Sequence, residues 1–165
     1  MSNDVLLEIK KLRKYFPIHK GFFRRHLGDV KAVHDLSFTV YSGETLGLVG
    51  ESGCGKTTLG RTILQLIPAN RGEIIYKGKN IESLSSRQML PYRREMQIVF
   101  QDPFASLNPQ LTIGEAVTEP MLVHKLAKSR AEGEKKTAKL LSMVGVSPAQ
   151  KGRYPHEFSG GQRQR

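Results

Sequence analysis

The first half of the chain alternates apolar and polar positions in the way that β-strands do. Three stretches carry this alternation: VLLEIKKL at 5–12, DLSFTVYSGETLGLVG at 35–50 and GEIIYKGKNI at 72–81. Ser42 and Gly43 supply a turn inside the second stretch. The run FPIHKGFFRRHLGDVKAV, 16–33, is polar and punctuated by glycine, which predicts either a long excursion or a hairpin. A further apolar run, REMQIVFQD at 94–102, predicts a buried strand that leads into a proline-rich loop.

Helical periodicity appears after the second strand stretch and again from Leu111 onward. The run KTTLGRTILQLI, 56–67, spaces its apolar residues for a helix and ends before Pro68, which cannot continue one. Two S/T-x-x-E patterns predict capping boxes, in which a hydroxyl and a carboxylate satisfy two backbone amides at a helix start. They are Thr112 with Glu115, and Ser129 with Glu132. The run AKLLSMVG, 138–145, predicts a helix that stops at Gly145 in a left-handed cap.

Strands followed by a helical block indicate an α/β protein with a helical insertion, rather than a regularly alternating barrel. The length of 165 residues and the hydrophobic content of 38% suit one globular domain. No window approaches the roughly 18 apolar residues of a membrane-spanning helix, and the N-terminus lacks the layout of a secretory signal. The single cysteine, Cys54, cannot form an internal disulfide. These features predict a chain that stays in the cytosol.

The chain is strongly basic. Its 26 Lys and Arg residues exceed its 15 Asp and Glu residues, which gives a net charge of +11 and a pI near 10.0. Such a balance is typical of proteins that bind nucleic acid, anionic lipid or phosphate. The basic residues are spread over several short stretches, however, which favours ordinary solvated faces. Charge alone therefore assigns no function.

The run TLGLVGESGCGKTTLGRTIL, 45–64, contains the phosphate-loop pattern GxxxxGK[ST] between an apolar strand and a helix. Its glycines let backbone amides approach phosphate oxygens that side chains would block, and the helix start adds further free amides. Lys56 places a point charge on the β and γ phosphates, and the Thr57 hydroxyl is a hard ligand for Mg²⁺. For Cys54, a tolerated small side chain is favoured over a redox sensor. The predicted phosphate-loop contacts are Gly50, Glu51, Ser52, Gly53, Cys54, Gly55, Lys56, Thr57 and Thr58.

The stretch FSGGQ, 158–162, resembles the LSGGQ signature of ATP-binding cassette (ABC) ATPases, with Phe158 in place of the usual leucine. Ser159 and Gln162 have the spacing of a third capping box, and Gly160 and Gly161 leave the backbone bare at the helix start. The resemblance implies that these four residues face the γ-phosphate of ATP held by a second subunit. It also implies a P-loop NTPase fold with an N-terminal antiparallel β subdomain and a helical subdomain, divided at about 1–110 and about 111–165.

The same resemblance implies two further ATP contacts. Gln101 matches the Q-loop glutamine, whose amide reaches Mg²⁺ or the attacking water. With Lys56 it forms the predicted catalytic pair, and with Thr57 the predicted Mg²⁺ ligands. Phe16 is the best match to the aromatic residue that stacks on adenine, and Tyr15 is the second candidate. The alternative to a nucleotide contact is that the aromatic residue here is buried in the core.

The loop FQDPFASLNP, 100–109, narrows the resemblance to the ATPase subunits of oligopeptide and dipeptide importers, a group that also contains nickel importers. The partners that this implies are a second ABC ATPase subunit, identical or different, integral membrane permease subunits and, indirectly, a solute-binding protein. No nucleic acid partner is expected. The resemblance places the chain peripherally at the cytoplasmic face of the membrane.

Two family elements do not occur in the 165 residues. Family members continue past the signature into an apolar strand ending in Asp-Glu and then to a switch histidine. His156 precedes the signature and is not that histidine. We therefore expect an N-terminal portion of a longer ATPase, with an incomplete core sheet, weak nucleotide binding and no hydrolysis by itself.

The sequence thus predicts the ATP-binding and ATP-hydrolysing subunit of an ABC importer for oligopeptides, dipeptides or a related small solute. Two alternatives stay open. One is a soluble ABC-type ATPase that acts on nucleic acid in repair or translation, for which the basic charge would be useful. The other is a non-catalytic interaction fragment that folds on a full-length partner.

Overall fold

The computed structural model describes residues 4–21, 25–100 and 106–164. The chain divides into two compact units, Met1–Met96 and Gln97–Arg165. The first holds four strands and three helices, and the second is helical. The domain assignment made from the sequence, with its boundary near residue 110, stays a prediction.

The first unit is built on an antiparallel sheet with the strand order β2-β1-β3-β4. Its strands are β1 (Val5–Lys20), β2 (Arg25–Tyr41), β3 (Arg71–Tyr76) and β4 (Lys79–Asn80). β1 and β2 pair as far as Lys20 opposite Arg25, so residues 16–20 and 25–33 belong to the two strands of a hairpin, as one of the two expectations had it. The strands predicted for 5–12 and 72–81, and the turn at 42–43, are confirmed.

The core of this unit lies between the sheet and the helices α1 (Lys56–Ile63), α2 (Ser86–Met89) and α3 (Tyr92–Glu95). Its buried residues come from the sheet, from α1 and α2, and from the residue that follows β4. They are Ile9, Leu12, Val33, Leu59, Ile74, Tyr76, Ile81 and Met89. Leu59 is the buried apolar residue of α1, and its burial fixes that helix on the sheet. The helix predicted for 56–67 is confirmed, although it ends at Ile63.

Two predicted strands are wrong. The segments 44–50 and 97–100 form no strand, and Val49 and Val99 are 91% and 96% exposed. A strand needs a neighbour for its backbone N–H and C=O groups. Neither segment has such a neighbour in the described part of the chain, where each strand pairs only within the sheet of the first unit. An apolar sequence pattern therefore did not suffice to make a strand.

The second unit contains α4 (Ile113–Val123), α5 (Arg130–Met143) and α6 (Gly160–Arg163), with 3₁₀ turns at Pro148–Gly152 and Pro155–Glu157. The capping box at the start of α4 is confirmed. The Glu115 amide donates to the Thr112 hydroxyl at 3.3 Å, and the Thr112 amide donates to the Glu115 carboxylate at 3.1 Å. Hydrogen bonds to its carboxylate from the Thr112 amide and the Thr112 hydroxyl, together with one from Arg130, lower the pKa of Glu115.

The capping box predicted at the start of α5 forms only in part. The Glu132 amide donates to the Ser129 hydroxyl at 3.2 Å, as predicted. The Glu132 carboxylate accepts instead from the Lys128 amide at 2.8 Å and pairs with Lys136 on the next turn. The predicted hydrogen bond from the Ser129 amide to the Glu132 carboxylate is therefore wrong, because the Lys128 amide and the Lys136 ammonium bind that carboxylate instead.

The end of α5 has the predicted left-handed cap. Gly145 has φ of 72° and donates to the Ser142 carbonyl, while the Val146 amide donates to the Leu141 carbonyl at 2.9 Å. This is the Schellman arrangement, and its usual apolar contact follows. Leu141 and Val146 form a buried cluster with Phe158.

A buried pair of hydroxyls joins α4 to α5. The hydroxyl oxygens of Thr118 and Thr137 are hydrogen-bonded at 2.8 Å, and both residues are buried. We expect the single change Thr118→Val to lower the free energy of unfolding by about 1–3 kcal/mol, because it leaves a buried hydroxyl without its partner. The double change with Thr137→Val should cost less than the sum of the two single changes. Urea denaturation followed by circular dichroism measures this, and strict additivity would contradict the pairing.

Candidate functional site

Residues 50–58 contain a loop, 50–55, and the first three residues of α1, which begins at Lys56. We call the whole segment 50–58 the loop. Gly55 precedes the helix in the left-handed region, with φ of 96°. A Cβ at this residue would lie 2.0 Å from the carbonyl oxygen of Ala32 on β2. Gly55 is therefore required for two reasons, its backbone angle and its contact with the sheet. That contact holds the start of α1 against β2.

The Lys56 side chain folds back into this loop. Its ammonium donates to the carbonyl oxygens of Gly50 at 2.7 Å and Glu51 at 2.6 Å, and lies 3.6 Å from Cys54 Sγ. An ammonium has three donors, and sulfur is a weak acceptor. Two donors thus hold the shape of the loop, while the third has only a weak partner that a phosphate oxygen can replace.

The remaining residues of the loop are accessible. Glu51, Ser52, Gly53 and Cys54 are exposed, as is Thr57 on the first turn of α1. Thr58 is half-buried, and its carbonyl oxygen accepts from the Thr62 hydroxyl at 2.7 Å. The first amides of a helix have no partner within the helix. The loop and the first turn therefore offer several N–H groups and the exposed hydroxyls of Ser52 and Thr57 to an anion or a cation–anion pair.

The two aromatic candidates on β1 have different surroundings. The Tyr15 hydroxyl is hydrogen-bonded to Nδ1 of His34, and the two rings stack with centroids 5.7 Å apart. Phe16 is 40% exposed, and the Lys14 ammonium lies 4.9 Å from its ring centroid. Phe16 is thus no core residue. Its ring is more accessible to a planar ligand than that of Tyr15, although its stacking on adenine stays a prediction.

The signature stretch has the predicted capping box. The Gln162 amide donates to the Ser159 hydroxyl at 3.4 Å, and the Ser159 amide donates to the Gln162 side chain at 3.1 Å. Gly160 and Gly161 form the first turn of α6. Phe158 is buried beside Leu141 and Val146, so the residue that departs from the usual leucine anchors the signature to α5. The sequence did not predict this anchoring role, although the apolar character of position 158 was its signal.

The result of a comparison with protein families agrees with the geometry of the loop 50–58 and of the signature stretch 158–162. A family model described as ABC transporter matches residues 33–165. The chain belongs to the ABC transporter family. The match includes the phosphate loop and the signature stretch.

Curated relatives of this ABC cassette include import proteins. It is 50% identical over 165 residues to the oligopeptide transport ATP-binding protein AppF of Bacillus subtilis, covering 99% of this chain and 50% of the relative. It is 49% identical to the glutathione import ATP-binding protein GsiA of Pectobacterium atrosepticum, covering 98% of this chain and 26% of the relative. The chain thus spans about half the length of the oligopeptide transport relative.

A solved structure has the same fold. The chain resembles the dimeric, post-hydrolysis ATP-binding cassette MJ0796 bound to ADP and Pi, with a TM-score of 0.76 and 26% identity. The match covers 96% of this chain and 66% of that one. The predicted α/β fold of an ABC nucleotide-binding domain is therefore confirmed, with an antiparallel sheet of four strands in the described part of the chain.

Some expected features of the cassette fall outside the described residues. Gln101 lies there, together with the first part of the loop that follows it. Later in that loop, the side chain of Asn108 accepts from the Gln110 amide at 3.0 Å, which makes a turn ahead of α4. Within the ranges 4–21, 25–100 and 106–164, no cluster of His, Cys, Asp and Glu could hold a metal ion, and no helix is long and apolar enough to cross a membrane.

A polar network beside Tyr15 was not predicted from the sequence. Arg13 donates two hydrogen bonds to Asp35, at 2.6 and 2.8 Å, and these bonds lower the pKa of that carboxyl. The Tyr15 amide donates to the Asn70 side chain at 2.7 Å. The contacts join residues that are 22 and 55 positions apart, so no local pattern could have indicated them. They fix the stretch of β1 that carries both aromatic candidates.

Proposed function

We propose that this chain forms the nucleotide-binding part of the ATPase subunit of an ABC importer for oligopeptides, dipeptides or a related small solute. The observation that carries the proposal is the loop 50–58, whose shape is held by Lys56 and whose backbone stays bare. The names of the relatives, which are oligopeptide transport and glutathione import proteins, support an importer over an ATPase that acts on nucleic acid.

ATP fits the chemistry of this loop. A Cβ at Gly55 would lie 2.0 Å from the Ala32 carbonyl oxygen, so the cradle has no room for a side chain at this position, and a Cβ at Gly50 would lie 2.7 Å from Cys54 Sγ. Exposed amides and the third donor of Lys56 suit the triphosphate. We assign Mg²⁺ to Thr57 and Gln101, and Mg²⁺ would neutralise phosphate charge there.

The signature stretch serves a second cassette in this proposal. Ser159 and Gln162 close a cap around the glycines, and Gly160 and Gly161 present their backbone at the start of α6. The dimeric state of the related cassette MJ0796 supports a two-cassette arrangement. ATP would then lie between the phosphate loop of one chain and the signature of its partner, and hydrolysis would let the pair separate.

The remaining partners belong to the importer. The cassette pair would contact integral membrane permease subunits from the cytoplasmic face and would pass its motion to them, with a solute-binding protein as an indirect partner. The transport names of the relatives support this assignment.

A chimera tests the importer function. The half of Bacillus subtilis AppF that matches this chain is replaced by residues 1–165, and the chimera is expressed in a strain that lacks AppF. We expect ATP-dependent uptake of labelled oligopeptide to be restored. Intact AppF and the strain without it give the upper and lower limits. A chimera that is folded and binds ATP, but gives no uptake, would refute the importer assignment.

The aromatic assignment has its own prediction. Phe16→Ala should weaken the binding of a fluorescent ATP analogue by roughly 5- to 150-fold, because stacking of a base on an aromatic ring contributes about 1–3 kcal/mol. Tyr15→Phe keeps the ring and removes the hydroxyl that bonds to His34, so it should leave the affinity unchanged. A loss of affinity in Tyr15→Ala, with none in Phe16→Ala, would reverse the assignment.

A further inference from the structure

The hairpin of β1 and β2 extends beyond the rest of the sheet. β3 pairs with β1 only as far as Arg13, so in the described part of the chain residues 15–20 and 25–31 pair only with each other. We call these residues the arm. From Phe16 to Lys20 and from Arg25 to His26 every residue of the arm is exposed. The arm therefore presents both of its faces to the surroundings of the first unit.

One face of the arm combines apolar and cationic side chains. Residues paired across an antiparallel ladder share a face, and alternate residues along a strand return to it. Phe16 pairs with Val30, Ile18 with Gly28 and Lys20 with Arg25. Phe16, Ile18 and Val30 are 40%, 45% and 53% exposed. Two cations thus follow the apolar side chains toward the tip of this face, which we call the basic face.

The carboxylate of the arm lies on the other face. Asp29 pairs across the ladder with Pro17, and its side chain is 3.0 Å from Nε2 of His26. Lys14 adds a cation at the base of the basic face, where its ammonium lies over the ring of Phe16. The basic face therefore carries Lys14, Lys20 and Arg25 and no acidic residue.

We propose that the basic face of the arm binds the surface of an anionic lipid bilayer. Apolar side chains flanked by cations are the composition of interfacial segments, since the apolar groups enter the boundary of headgroups and acyl chains while the cations meet lipid phosphates. The charge of the face is complementary to such a surface. The exposed side chain of Leu27, beside Arg25, extends the apolar area toward the tip.

The lipid contact is separate from the nucleotide contact proposed for Phe16. Strands rise by about 3.3 Å per residue, so Lys20 lies roughly 13 Å from Phe16 along β1. A purine base on Phe16 would not reach that far. The part of the basic face at Lys20 and its cross-strand partner Arg25 is therefore available while nucleotide is bound, and the inference does not depend on which solute is transported.

Co-sedimentation with vesicles tests the proposal. The 165-residue chain is mixed with vesicles of phosphatidylcholine and phosphatidylserine, and separately with vesicles of phosphatidylcholine alone. We expect binding to the anionic vesicles and little to the neutral ones. Lys20→Ala with Arg25→Ala should weaken binding by roughly 30-fold, because each cation near an anionic surface contributes about 1 kcal/mol. Ile18→Ser should weaken it further.

The matched control removes the same charge elsewhere. Lys135→Ala with Lys139→Ala, both exposed on α5, should leave vesicle binding almost unchanged. Circular dichroism verifies that every variant keeps its fold. Equal weakening in both double variants, undiminished binding after the arm change, or no binding of the unchanged chain would overturn the proposal. Loss of binding on saturation with ATP and Mg²⁺ would also overturn it, because the face would then belong to the nucleotide.

Discussion

Lys56→Ala is expected to abolish ATP-driven uptake by the AppF chimera and to lower its ATPase rate by about 100-fold or more. Removal of one preorganised donor to a developing charge has an effect of this size. Lys56 has a second role, because its ammonium also holds the carbonyl groups of Gly50 and Glu51. Its removal frees those carbonyl groups in the space that the phosphates would occupy, and repulsion between oxygens adds to the loss.

The measurements separate these effects from a loss of fold. The ATPase rate and oligopeptide uptake are compared with the binding of a fluorescent ATP analogue and with the thermal unfolding temperature. Lys135→Ala, on the exposed side of α5, is the matched loss of one lysine and should change none of them. Uptake at the unaltered rate in Lys56→Ala would refute the assignment of this lysine and, with it, the role of the loop.

The sequence predicted the local geometry of the helix starts better than the sheet around them. Local chemistry determines the loop 50–58 and the caps at Thr112 and Ser159, because each involves neighbours along the chain and the residue type decides the geometry. Segments 44–50 and 97–100 were predicted as strands from their apolar content. Strand formation depends on a neighbour elsewhere in the chain, and a local pattern does not contain that information.

The choice between Tyr15 and Phe16 likewise depended on a contact between residues that are distant in the sequence. Both were candidates for the predicted adenine-stacking aromatic residue, and the sequence ranked them without a contact to separate them. The bond of Tyr15 to His34 gives that contact, and it crosses from β1 to β2. The register of the hairpin determines which aromatic ring is engaged by the protein and which one stays accessible.

Gly55→Ala is expected to lower the free energy of unfolding of the first unit by roughly 2–5 kcal/mol and to prevent nucleotide binding. Alanine at φ of 96° is strained, and its Cβ would lie 2.0 Å from the backbone oxygen of Ala32, which is part of β2 and cannot rotate away. Either the loop leaves the sheet or β2 shifts. In both cases the amides at the start of α1 no longer converge on one point.

Gly60→Ala is the matched control, because it adds the same methyl group to the same helix. A Cβ at Gly60 would have no atom within 4 Å beyond the helix itself, and its backbone angle is ordinary. We expect this variant to be about 0.5–1 kcal/mol more stable than the unchanged chain, since alanine favours the helix interior. Urea denaturation followed by circular dichroism, with titration of a fluorescent ATP analogue, compares the two. Opposite signs in stability would locate the effect of Gly55 at its left-handed backbone angle and its contact with β2, which Gly60 lacks, and equal changes would refute both.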